Sequence, residues 1–130
     1  MLEPYTTVEA NYLEGLAHFN CGEFYEAHDS WEAAWRNCPA EDRSFYKGLI
    51  HATVCIYQWI RGNRPSATRL YQSAQRYLGG YPDVHRGSHV RSFRERLAII
   101  LADIVDPEST ASAGRESDFR GVIRIEVDPR

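Results

Sequence analysis

Apolar positions recur at helical spacing through most of this chain. Val8, Tyr12, Leu13, Leu16 and Phe19 share one face of a 3.6-residue period. Thr6 and Glu9 have the spacing of a capping box, which predicts that a helix opens there. Asn20-Cys21-Gly22 predicts its end, because Gly22 suits the left-handed position after a helix. A second helix is predicted from about Glu23 to Arg36, stopped near Pro39. A third runs from roughly Glu41 to Arg61. Its apolar positions (Phe45, Leu49, Ile50, Ala52, Val54, Cys55, Ile56, Tyr57, Trp59 and Ile60) cover most of the circumference, leaving a polar strip of Lys47, His51, Gln58 and Arg61. A helix apolar nearly all round belongs at the centre of a domain.

Gly62-Asn63 ends the third helix, and Asn63 or Ser66 can cap the fourth, with Pro65 tolerated in its first turn. The fourth reaches about Leu78 with Ala67, Leu70, Tyr71, Ala74 and Leu78 inward, and Gly79-Gly80 closes it. After a loop, Ser88 is expected to cap a fifth helix with the stripe Val90, Phe93, Leu97, Ile100, Leu101 and Ile104, ending before Pro107. Residues 108–119 are polar and read as mobile. In the tail, Ile123, Ile125 and Val127 alternate with Arg124, Glu126 and Asp128, the period of a strand. Such a segment can lie across its own helices or pair with another chain.

Gly15, Gly22, Ala27, Trp31 and Ala34 are echoed forty residues later by Cys55, Gly62, Ala67, Tyr71 and Ala74. Helix, glycine turn, then a helix with small residues is the logic of the tetratricopeptide hairpin, here with a longer period and about two copies. The expectation is an all-α fold. A single helical domain over 1–106 would be a compact bundle of about five helices, built from two αα-hairpins, with 107–130 as polar linker and extended tail.

Composition narrows the class. With 43% hydrophobic and 25% charged residues, the 130-residue chain has ordinary globular values. No apolar run is long enough for a membrane span, and the N-terminus lacks the pattern of a signal peptide. Cys21, Cys38 and Cys55 are odd in number and widely spaced, which suits reduced thiols in a cytoplasm better than a disulfide framework or zinc site. The net charge of −3 is unevenly spread: residues 61–96 hold eight arginines against two acids. Arg61, Arg64, Arg69 and Arg76 therefore raise phosphate or nucleic-acid binding as an alternative function.

The densest chemistry is "FYEAHDSWEAAW", Phe24 to Trp35. At 100° per residue, with Phe24 at zero, Trp35 falls at about 20°, His28 at about 40°, Trp31 at about 340° and Ala27 at about 300°. Glu32 lies at about 80°, on the edge of this stripe, and Glu26 at about 200°, behind it. His28 is thus expected inside the aromatic face. It reads either as a core histidine bonded to Glu32, or as half of a metal-binding or acid/base pair. No HExxH or Glu-x-x-His supplies further ligands, so no cofactor is expected, and His28 and Glu32 are the only metal-ligand candidates. His51 sits beside Lys47, which disfavours a cation there. Trp31, Trp35 and Trp59 read first as core.

"FNCGEFYEAHDSWEAAW", with "DRSFYKGLIHATVCIYQWIRGN" and "SATRLYQSAQRYL", resembles the domain-of-unknown-function 309 family (DUF309) of small bacterial and archaeal helical proteins. Phe19, Asn20, Gly22, Phe24, Glu26, Ala27, His28, Glu32 and Trp35 match its first motif; Arg43, Phe45, Gly48, Leu49 and Ile50 match its second. Lys47 and His51 stand where that family tends to have glutamines. The resemblance spans about residues 9–78 and implies an all-helical fold without an established activity. It also brings in Glu26 and implies that both faces of the second helix are covered. The reading is a non-enzymatic protein binding a partner or small ligand, with Glu26, His28, Trp31, Glu32, Trp35, Arg43 and His51 as candidate site and a homo-oligomer as one form. A metal-dependent or acid/base enzyme using His28–Glu32 is the alternative.

Overall fold

A computed structural model describes residues 7–102 and 124–128. Helices α1 (Thr7–Asn20), α2 (Phe24–Asn37), α3 (Arg43–Ile60), α4 (Arg64–Leu78) and α5 (Val90–Ile100) make an essentially all-α architecture. A 3-10 turn, Ala40–Asp42, precedes α3, and a small antiparallel hairpin, β1 (Val84–His85) and β2 (Ser88–His89), precedes α5. The expectations placed on Thr6, Ile104, Pro107 and residues 107–123 lie outside the described residues.

Successive helices pack as α1 on α2, α2 on α3 and α3 on α4, so α3 is covered on two sides, as its apolar circumference requires. The forty-residue echo is visible in the backbone. In the first hairpin Gly22 N–H donates to Phe19 O (3.0 Å) and Glu23 N–H to His18 O (2.8 Å). In the second, Gly62 N–H donates to Trp59 O (3.0 Å) and Asn63 N–H to Gln58 O (2.9 Å). Both are Schellman turns, and both glycines sit at φ 82°, where a Cβ would be penalised. Asn63 then caps α4 by accepting from Ser66 N–H at 3.3 Å. At the end of α2, Cys38 is forced extended (φ −77°, ψ 159°) because it precedes Pro39.

The hairpins close through small residues. Trp31 is fully buried and lies against Gly15. A Cβ on Gly15 would stand inside contact distance of the indole nitrogen and 2.7 Å from Trp31 Cε2. The indole N–H donates to Tyr12 O at 3.2 Å. In the second hairpin Gly48 fits against Leu78 in the same way, and Cys55 Sγ donates to Ala67 O at 3.2 Å. Helix α5 lays Phe93 edge-on to Phe19 (5.6 Å between centroids) and covers this end of the core.

One expectation is corrected. Ser88 does not cap α5; it is buried in β2 and hydrogen-bonded to the Tyr12 hydroxyl. The segment before α5 is a two-residue hairpin whose central residues, Arg86 (φ 49°) and Gly87 (φ 78°), both take positive φ, the geometry that matches strand twist. Asparagine or aspartate is the usual signal at the first of these positions, so arginine concealed it. The tail, which the sequence left free to pair in cis or with another chain, docks in cis. Asn20 grips Ile125 from both sides, donating to its carbonyl (3.0 Å) and accepting from its N–H (2.9 Å). Val127 bridges to Ser88, and His89 N–H donates to Glu126 O at 2.8 Å.

A charged cluster links the hairpin to the start of α3. Asp42 occupies the N-cap position of α3 and is fully buried, yet its carboxylate makes no capping bond. One oxygen faces His85 Nε2 (2.8 Å); the other accepts from Arg86 Nε (2.7 Å). The capping work passes to Tyr81, whose hydroxyl accepts from Phe45 N–H (2.8 Å) and donates to Glu41 O (2.7 Å). Burial pushes the Asp42 carboxyl up, and the hydrogen bonds from Arg86 and His85 more than offset it, leaving it below the usual carboxylate range. A depressed carboxylate contributes stability above its unfolded value and loses it as pH falls through the folded one. Asp42→Asn is therefore expected to cost about 2 kcal/mol at neutral pH and to flatten the acid limb of a urea-midpoint-versus-pH curve. Gly15→Ala is expected to cost about 1–3 kcal/mol or more in the same unfolding experiment.

Candidate functional site

Helix α2 decides where the candidate residues go. Its buried residues are Phe24, Ala27, Trp31 and Ala34. Ala27 and Ala34 lie at about 300° and 280° on the wheel that puts Phe24 at zero, so the buried face is centred on the alanines and Trp31. His28 is therefore not a core histidine: it is half-buried on the rim, with Nδ1 3.6 Å from Asp29 and Nε2 3.6 Å from Glu32. Small residues allow the closest helix approach, so the alanines, not the aromatics, mark the centre of the contact. Trp31 belongs to the core and Glu26 is exposed, so neither joins the other candidates. Within the single chain the Glu26 face of α2 is left uncovered.

The rim of α2 faces the polar strip of α3, and the two helices run antiparallel. Near the end of α2, Glu32 and Trp35 meet Lys47, Ile50 and His51 around a cleft of about 150 Å³. Trp35 lies under two cations, with Arg43 Cζ 4.5 Å and Lys47 Nζ 5.4 Å from its ring centroid. These contacts are favourable because the ring face is electron-rich. The indole N–H of Trp35 and Nδ1 of His51 are both buried and find no hydrogen-bond partner among the described residues. Burial, then the charges of Lys47 and Arg76, holds the His51 pKa below the ordinary histidine value. The Tyr77 ring stands edge-on to it at 5.4 Å.

Four of the seven candidates (Glu32, Trp35, Arg43 and His51) thus converge, and His28 adjoins them through Glu32. Lys47 stands beside His51, as the sequence implies, and also lies over Trp35. That pairing was findable, because Lys47 and His51 are one turn apart. The Asp42–His85–Arg86 cluster was not, since Asp42 lies more than forty residues from the other two with no motif to join them. A cleft of about 370 Å³ beside it is lined by Glu9, Tyr12, Asn37, Tyr46 and Arg86, but the Arg86 guanidinium is already engaged by Asp42. The arginines proposed for phosphate rest largely on aromatic rings: Arg61 on Tyr57 (5.5 Å), Arg64 on Trp59 (4.9 Å) and Arg76 on Tyr77 (5.3 Å). No helix among the described residues is long and apolar enough to cross a membrane.

Residues 12–70 match the family described as "Domain of unknown function (DUF309)", in line with the motifs in α1 to α3. Over 84 residues the chain is 30% identical to an uncharacterized protein of Aquifex aeolicus (strain VF5). That stretch is 64% of this chain and 25% of the relative, so the chain matches about a quarter of that protein's length. The Trp35–His51 cleft falls wholly within the DUF309 match; His85 and Arg86 lie beyond it.

The half-buried Trp35 and the core Trp31 make opposite demands. Trp31→Phe removes a satisfied N–H and is expected to cost about 1–2 kcal/mol. Trp35→Phe removes an unpaired buried N–H and is expected to be neutral or stabilising, within about 0.5 kcal/mol. Urea unfolding of the two variants checks the contrast; a larger loss at Trp35 would mean that its N–H has a partner in solution.

Proposed function

We propose that this DUF309-like helical domain is a non-enzymatic binding protein. Its ligand carries a small oxyanion that sits between the C-terminal half of α2 and the N-terminal half of α3. The observation that carries this reading is a pair of buried, partnerless nitrogens, Trp35 Nε1 and His51 Nδ1, in two residues that line one cleft. A buried donor without an acceptor costs about 1–3 kcal/mol, and an anion oxygen would relieve it. The indole nitrogen can only donate, and the His51 ring donates in the tautomer that places its proton on Nδ1. Lys47 and Arg43 add positive charge at the same place. The charge of Glu32 is turned toward His28 (3.6 Å) and Arg36 (3.8 Å). Binding is favoured over catalysis because the charges acting on His51 are the cations Lys47 and Arg76, which hold an anion but do not orient a general base as a carboxylate would.

Calorimetric titration with acetate, and separately with inorganic phosphate, tests this. At least one is expected to bind, with Lys47→Ala weakening it by about tenfold, the loss of a charge-assisted contact. Affinity should also rise as pH falls into and below the ordinary histidine range: burial and the neighbouring cations hold the pKa of the free His51 ring down, and a bound anion favours its protonated form. The groups facing His51 are Glu32 on α2, Lys47 on its own helix, and Arg76 and Tyr77 on α4. Binding of neither anion overturns the proposal.

A second reading has its own observation. His28, Asp29 and Glu32 offer ligand atoms within 4.8 Å of one another, the makings of a divalent-cation site. Thermal stabilisation by zinc or manganese that disappears in His28→Ala would favour it, and no ion-dependent shift would remove it.

A further inference from the structure

The oxyanion cleft is one of two clefts along the α2–α3 seam. On α2, Phe24, His28, Glu32 and Trp35 follow one another at four, four and three residues, a single helical face. On α3, Lys47, His51, Val54 and Gln58 do the same in the opposite direction. Around the far end, Phe24, Tyr25, His28, Val54 and Tyr57 border a second cleft of about 190 Å³. His28, which borders the second cleft, lies 3.6 Å from Glu32, which borders the first.

The ends differ in chemistry. The Trp35 end offers unpaired donors and cations. The Tyr57 end offers rings and methyl groups: Tyr25 is 65% exposed and Tyr57 39%. Of the polar groups at that end, the Thr53 hydroxyl already donates to Leu49 O at 2.9 Å and the Tyr57 hydroxyl accepts from Arg61 at 3.1 Å, while Gln58 also borders the cleft. Glu32 stands between the two ends, but its carboxylate faces His28 and Arg36, so its charge is locally balanced. From His51 to Tyr57 the rise along α3 is about 9 Å at 1.5 Å per residue.

We infer that the α2–α3 seam binds an aliphatic monocarboxylate of medium chain length. Its carboxylate would meet Trp35, Lys47 and His51, and its chain would lie along Val54 toward Phe24, Tyr25 and Tyr57. This rests on the oxyanion reading and adds the substrate class. The charge complementarity at one end and the apolar surface at the other are what select this occupant. Neither end alone would distinguish it from a bare anion or a neutral hydrocarbon.

The test is calorimetric titration of the full chain with acetate, octanoate and octanol. Octanoate is expected to bind at least about tenfold more tightly than acetate, equivalent to about 1.4 kcal/mol, which two buried methylenes suffice to supply. Octanol should bind more weakly than octanoate. Tyr57→Ala should shrink the octanoate advantage several-fold and leave acetate unchanged, whereas Lys47→Ala should weaken both acids. Equal affinity for acetate and octanoate would overturn the chain's place along the seam and leave the oxyanion reading standing. Equal affinity for octanol and octanoate would overturn the carboxylate head. If none of the three binds while inorganic phosphate does, the monocarboxylate inference falls and the oxyanion reading stands; if phosphate fails as well, both fall. Far-ultraviolet circular dichroism of each variant keeps a folding defect from counting as lost binding.

Discussion

The insertion of Trp31 into the space left by Gly15 is the contact on which the rest of the molecule depends. The indole occupies the position of an absent Cβ and donates its N–H to the Tyr12 carbonyl at 3.2 Å. It therefore fixes both the separation of α1 and α2 and the rotation of α2 about its axis. With that rotation set, Ala27 and Ala34 turn inward and the opposite edge of the aromatic stripe turns outward. His28 and Trp35 are carried to the rim, where they meet the polar strip of α3. The cleft is a consequence of how one tryptophan packs.

A second constraint acts at the start of α3. Asp42 sits where a helix cap is expected, but its carboxylate is taken by His85 and Arg86 from the hairpin. Tyr81 supplies the cap instead. Each displaced role is filled by a group from a distant segment, so the hairpin, the turn before α3 and the α3 N-terminus are ordered together. Tyr12 extends the linkage to α1 by donating to Arg86 O at 2.9 Å. The tail then adds to the same hairpin through Val127 and is clasped by Asn20. The apolar circumference of α3 and the strand-like tail were the two reasons to expect an oligomer, and a single chain accounts for both.

Much of the helical framework was legible because each signal is local. Gly22 and Gly62 announce their turns by their permissive φ, Pro39 stops α2 by restricting Cys38, and the forty-residue echo survives as matched Schellman hydrogen bonds. The candidate site was legible only in part. Glu32, Trp35, Arg43 and His51 were named from composition and motif, and they do converge. Their grouping was misjudged because a wheel centred on the aromatic residues put His28 in the core. Packing is governed by closest approach, and the alanines set it.

The sequence by itself determined the helices, their order and the central place of α3, because periodicity, glycine turns and proline stops act within a few residues. It also determined which residue types were available for chemistry. Tertiary structure alone decided how α2 is rotated, that Arg86 and Gly87 turn a hairpin, that Asp42 pairs with residues more than forty positions away, and that Trp35 and His51 face one cleft. Those outcomes depend on distances between helices, set by van der Waals contact at Gly15 and Gly48 and by the pairing of buried charge. Neither leaves a periodic trace along the chain.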